Sequence, residues 1–220
     1  MHDTVLMIMS IRNIQSIITS YNNLNCEKIW FKGFTEYELV THINHFIQNS
    51  NFQYYFLTSD DCYIHYDKFE LLKHHLQFND IISGWCCQRQ NSTFTTILNP
   101  NNFDKLIFKK HLKPSWPNYF QFAYKTHQIA ALPDLIPSAF TGWVFTGMQK
   151  KLWTQYPFNV LSDTNSNSDM VFSRNINQDN KYTPLIAKKA NCIHLSNTNC
   201  PSNYDISKCF NNKQIIKSFN

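Results

Sequence analysis

Tyr54-Tyr55-Phe56-Leu57, with Ser59-Asp60-Asp61 close behind, is the stretch on which the reading of this 220-residue chain turns. Four consecutive bulky apolar and aromatic residues predict a short buried strand. Two acids just past its end stand where an open α/β sheet presents its ligand-binding edge. Adjacent side chains on a strand point to opposite faces, but where the strand ends and the chain turns both carboxylates can face one cleft. There one can accept hydrogen bonds from a ribose while the other holds a hard divalent cation bridged to a diphosphate. The same residues are also ordinary material for a turn or a helix cap.

Working outward, the alternation of strand and helix continues in both directions. Val5-Leu6-Met7-Ile8-Met9 is a continuous apolar run, the pattern of a strand buried on both faces, and it ends in Ser10-Ile11-Arg12-Asn13. Ile14, Ile17, Ile18 and Tyr21 follow at helical spacing, and Glu27-Lys28-Ile29-Trp30-Phe31 reads as a second strand. Thr35-Glu36-Tyr37-Glu38 carries the N-cap and acid of a capping box ahead of Leu39, Ile43, Phe46 and Ile47 on one helical face. A helix over 66–76 and a strand over 80–83 extend the series, so the expected class is α/β with a mostly parallel, mixed central sheet flanked by helices.

From Asn99 to Pro137 five prolines and many aromatics predict loops with one or two antiparallel edge strands, a region expected to face an acceptor. Beyond it the pattern predicts a strand over 139–146, helices over 150–156 and 169–178, and a strand over 187–194. Residues 1–196 are read as one domain. Residues 197–220 are polar and weakly periodic, the pattern of a tail that is either mobile or folded over a ligand.

Composition narrows the function classes. With 43% hydrophobic and 15% aromatic residues there is ample material for a core, which argues against global disorder. The formal charge of +5 suits an anionic ligand, but the basic residues are scattered, and no run marks a nucleic-acid footprint. Seven cysteines without a CxxC pair indicate neither a disulfide framework nor a zinc knuckle, and are read as reduced thiols. No apolar stretch is long enough for a transmembrane segment and no signal-peptide pattern appears, so a soluble, cytoplasmic protein is expected, in the host cytoplasm if the source is viral.

Further residues have chemistry that fits a site beside Asp61. His194 closes the predicted strand over 187–194, and imidazole is a ligand for Mn²⁺ and other transition metals. Asp169 opens a helix after the polar run Asp163 to Ser168, where it is either a cap or a general base. Glycine is scarce, at four residues, and Gly84, Gly142 and Gly147 stand at or near predicted strand ends, where a ligand can approach the backbone. Trp85 and Trp143 are candidates for stacking on a sugar face or for the core. Arg12 after the first strand and Lys32 after the second are candidates for phosphate.

In this order, VLMIMSIRN, CEKIWFKGFTEYELVTHIN, YYFLTSDDC, DIISGWC, FTGWVFTGM with KKLWTQYPF, SNSDMVFSRNINQD and CIHLS resemble the GT-A glycosyltransferases over most of the chain, up to about Ser196. Within them the likeness is strongest to the domain type that builds chlorella-virus capsid glycans. The resemblance implies a Rossmann-like domain that binds a UDP-sugar donor with Mn²⁺ or Mg²⁺ and transfers the sugar, with inversion, to a glycan or glycoprotein acceptor, with no nucleic acid as partner. It implies Asp61 and His194 at the metal, Asp60 at the ribose, Asp169 as base, and Ser10 and Arg12 bordering the nucleotide. Ser59 stands where the family's plain Asp-X-Asp form has its first acid. The competing readings are a non-catalytic nucleotide-sugar or glycan-binding module and a metal-dependent phosphoryl-transfer enzyme.

Overall fold

The computed structural model describes residues 3–10, 15–87, 93–102, 122–160, 168–195 and 213–218. Along the chain run β1 (Thr4–Ser10), α1 (Gln15–Asn22), β2 (Glu27–Lys32), α2 (Glu36–Asn49), β3 (Tyr54–Ser59), β4 (Cys62–Tyr63), α3 (Tyr66–Leu76) and β5 (Ile81–Trp85). There follow β6 (Phe94–Leu98), β7 (Ala123–Lys125), β8 (Leu135–Pro137), β9 (Thr146–Gln149), α4 (Lys150–Gln155), α5 (Ser168–Asp179), β10 (Leu185–Asn191), β11 (Ile193–His194) and β12 (Gln214–Ser218). The capping box at Thr35 forms as the sequence requires, with Glu38 N–H donating to Thr35 Oγ1 at 3.4 Å and Thr35 N–H donating to Glu38 Oε2 at 3.0 Å.

Eight strands make the main sheet, in the order β12-β2-β1-β3-β9-β5-β10-β8. The continuous apolar run of β1 is explained by its central place, since all seven residues are buried. Val5, Met7 and Met9 pack with Leu39 and Ile43 of α2, Trp153 of α4 and Phe172 of α5. Leu6 and Ile8 pack on the other face with Tyr21 of α1 and Phe69 of α3. The result is a helix–sheet–helix sandwich with two apolar cores.

Several expectations need correction. The sheet is mixed rather than mostly parallel: β1–β2, β1–β3 and β5–β10 are parallel, whereas β9 runs antiparallel between β3 and β5, and β8 and β12 are antiparallel at the two edges. The strand expected over 139–146 begins only at Thr146. Ahead of it Val144 N–H closes a tight turn onto Gly142 O at 2.6 Å, and Phe145 takes a positive φ of 55°. This kink sends Trp143 into one core and Val144 and Phe145 into the other, a division that a continuous strand does not make with adjacent residues 144 and 145. Gly147 has a packing reason, because a Cβ there would lie 2.4 Å from the Phe56 ring.

Within the irregular middle β8 is the expected antiparallel edge strand, whereas β7 pairs with β6, which precedes that stretch, in a separate two-stranded sheet. The described part of the stretch set apart as a tail is structural: β12 pairs with β2 over five residues, and Lys213 pairs with Glu38. No helix among the described residues is long and apolar enough to cross a membrane.

Candidate functional site

The first three parallel strands end side by side. Asp60 N–H donates to Met9 O at 3.0 Å, and Gly33 N–H donates to Ser10 O at 3.1 Å, so the chain leaves β3 and β2 beside the end of β1. Gly33 adopts a φ of 72°, the left-handed turn that lets the chain pass from β2 into α2. This edge carries two groups of acids.

The first is built on the turn after β3. Tyr21, buried on α1, directs its hydroxyl to the carbonyls of Ser59 (3.0 Å) and Cys62, which fixes the turn from beneath. Burial pushes that phenol well above its usual range, so it stays a donor. Ser59 Oγ donates to Asp61 Oδ1, and His194 Nε2 lies 3.1 Å from Asp61 Oδ2. His194 arrives across 133 residues because β11 pairs with β4, setting His194 opposite Cys62, while Leu195 N–H donates to Asp61 O at 2.8 Å. Asp61 is 3% exposed and His194 partly exposed, so the pair is sheltered with one side toward solvent. One oxygen of Asp61, the Cys62 sulfur and one nitrogen of His194 lie within 4.8 Å of one another, a spacing that can hold a metal ion. Cys62 itself is kept protonated by its hydrogen bond with Cys86, by burial and by the charge of Asp61.

The second group lies at the start of α5. Ser168 N–H donates to Glu36 Oε1 at 2.5 Å, bringing the first turn of α5 against the first turn of α2. Trp143 Nε1 donates to Ser168 Oγ at 3.0 Å from the opposite side. Asp169 follows, and Met170 N–H donates to its Oδ1 at 2.7 Å. The residue keeps some exposed surface, but its carboxyl group is enclosed. Burial, with the Glu36 charge added, pushes that carboxyl up to about 7.

The remaining expected residues fall elsewhere. Ser10 is buried and donates to Asp60 Oδ2 at 3.2 Å, and Asp60 is itself wholly buried. This bond ties β1 to the turn after β3, and a ribose would have to displace Ser10 to use that oxygen. Lys32 stands at the end of β2 in register with Ser10. Arg12 and Asp163 to Asn167 lie outside the described residues.

Neither tryptophan offers a free stacking face. Trp85 is buried among Ile97, Ile129, Ile136 and Ile186 with its Nε1 donating to Lys188 O at 2.8 Å, and Trp143 packs on Trp153, Phe158 and Phe172. Gly84 is small for reasons of packing, since a Cβ there would meet Ala190 O, Val144 O and Cys192 Sγ at 3.0 Å. Gly142 likewise faces the Phe140 ring, at 3.2 Å. Sequence reasoning missed Cys62 and Glu36. The first had a signal in its adjacency to Asp61, and the second is an acid in the first turn of a helix that directly follows a central strand.

No family model matches the chain, and no curated protein matches it. Among solved structures, A197 from STIV is similar at 10% identity with a TM-score of 0.49, over 88% of this chain and 81% of that one. A likeness at that level carries no argument about activity or about the finer fold class. The chain and its own geometry define a mixed α/β protein with two acid-bearing corners at one sheet edge.

Proposed function

We propose that this protein is a metal-dependent glycosyltransferase of the GT-A type, moving a sugar from a UDP-sugar to an acceptor hydroxyl of a glycan or glycoprotein, with inversion. The observation that carries the reading is the meeting of Asp61 and His194 at 3.1 Å, beside the C-terminal ends of β1, β2 and β3. An oxygen and a nitrogen donor at that edge of an α/β sheet suit Mn²⁺, and the oxygen alone suits Mg²⁺. When bound, such a cation supplies positive charge against the departing diphosphate.

The chain's own residues would divide the remaining work. Asp61 would hold the cation through its carboxylate, oriented by the hydroxyl of Ser59, and His194 would be the second donor. Asp169 would take the acceptor proton, a role favoured by a carboxyl that exchanges protons at about 7 rather than about 4. The acceptor oxygen would form its bond to the anomeric carbon on the face opposite the breaking bond to UDP, with no covalent enzyme intermediate. Arg12 and Lys32 remain candidates for the donor phosphates.

Calorimetric titration with UDP, with GDP as control, each with and without Mn²⁺, tests the reading on the wild type and on Asp61→Ala. Metal-dependent UDP binding that vanishes in the variant is expected. Absence of binding by either nucleotide to folded wild type would sink the glycosyltransferase assignment.

A further inference from the structure

The proposal above leaves the Cys62 thiol without a task, although it stands inside the same corner. Its sulfur lies 3.8 Å from Asp61 Oδ1 and 3.5 Å from Ser59 Oγ. The antiparallel register of β4 and β11 sets Cys62 directly opposite His194, and residues so paired share one face of the ladder. Backbone pairing, rather than a chance side-chain rotamer, therefore brings sulfur and imidazole together around the Asp61 carboxylate, with all three ligand atoms within 4.8 Å. The imidazole also has polar capacity left over, since its Nδ1 is buried with no hydrogen-bond partner among the described residues while Nε2 faces Asp61.

We propose that Cys62 is a third protein ligand of the cation held by Asp61 and His194, which makes the site selective for borderline-soft ions such as Zn²⁺ and Co²⁺ over Mg²⁺. The inference rests on the metal reading of Asp61 and His194 given above. Mg²⁺ prefers an all-oxygen octahedral shell, whereas one sulfur, one nitrogen and one oxygen are the donor set of a three-residue Zn²⁺ or Co²⁺ site. Three protein ligands leave a coordination position for an oxygen of a bound substrate. On binding, the S–H bond is exchanged for a sulfur–metal bond and the proton leaves to solvent. No electron is transferred.

Co²⁺ titration, followed by calorimetry and by near-ultraviolet absorption, separates this inference from the one beneath it. The wild type is expected to develop a sulfur-to-cobalt charge-transfer band that excess Mg²⁺ does not remove. In Cys62→Ser, and in Cys62→Ala as a second variant, the band should disappear. Co²⁺ affinity should fall there by more than the roughly 10–100-fold that losing an outer-shell partner brings. His194→Ala should also lose the band, and circular dichroism establishes that each variant is folded. Equal affinity in wild type and Cys62→Ser without any band would overturn Cys62 as a ligand while leaving the Asp61–His194 metal reading intact. A band that persists in Cys62→Ser would assign the sulfur to another cysteine and overturn the proposal. Failure of folded wild type to bind Co²⁺ would overturn both readings.

Discussion

Asp61 and Asp169 both lie by the edge where the parallel strands end, yet their surroundings are opposite in kind. Asp61 meets an imidazole, a hydroxyl and a thiol, groups that stabilise its charge or can share a cation with it. Asp169 is enclosed and faces Glu36, so its surroundings favour the protonated form. On the proposed reading, one corner would hold positive charge and the other would exchange a proton. The difference shows that the residue type alone assigns no role: two aspartates on one sheet edge acquire separate chemistry from what the fold packs against them.

The strongest challenge to this division is a side-by-side comparison of Asp61→Ala and Asp169→Asn. Asp61→Ala is expected to abolish turnover and metal-dependent UDP binding together. Asp169→Asn should lower turnover by about 10²–10⁴-fold, the range for loss of a general base, while donor affinity measured by calorimetry stays near wild type. If both variants lose donor binding equally, the corners are not functionally distinct.

The protonation of Asp169 offers the next test, on stability. Its carboxyl is raised in the folded state from 3.8 to about 7, so the folded protein binds more protons than the unfolded chain between those values. Stability therefore falls as pH rises through that window, and the charged carboxyl is a burden above it. Asp169→Asn should remove the burden and be more stable than wild type at pH 8, by up to about 4 kcal/mol. The advantage should shrink toward pH 4 in denaturant titrations. An unchanged difference across that range would mean that Asp169 is not the group titrating.

The smallest expected effect belongs to Glu36→Gln, which keeps an acceptor for Ser168 N–H and removes the charge facing Asp169. The pH midpoint of turnover should move down while folding stability at neutral pH changes little or rises slightly. Since burial is the larger cause of the shift, the midpoint should remain above the ordinary carboxylate range.

The alternation through β3 was legible because each element carries its own local pattern. The apolar run of β1, the Thr35–Glu38 box and the acids after Leu57 are each confined to a few consecutive residues, and local patterns survive in the folded chain. What escaped was non-local or depended on a single backbone angle. Glu36 meets Ser168 across 132 residues, and nothing in either segment signals the other. Segment 139–146 has the composition of a strand, but the positive φ at Phe145 breaks it to fill two cores at once. Trp85 and Trp143 illustrate the same limit: an indole beside a glycine suits a sugar or a core equally well in sequence, and packing with Ile97 or Phe158 decides.

The five-residue ribbon of β12 bears on how this molecule meets its neighbours in solution. Without it, β2 would present a row of open main-chain donors and acceptors next to Trp30 and Phe31, a template on which a strand of another copy could grow. With it, the outermost strand of that side is short, and Lys213 before it and Lys217 within it are exposed. Charge on a short outer strand discourages further addition. The ribbon thus covers the main-chain edge of β2, a service to the whole molecule that is separate from any chemistry at Asp61 or Asp169.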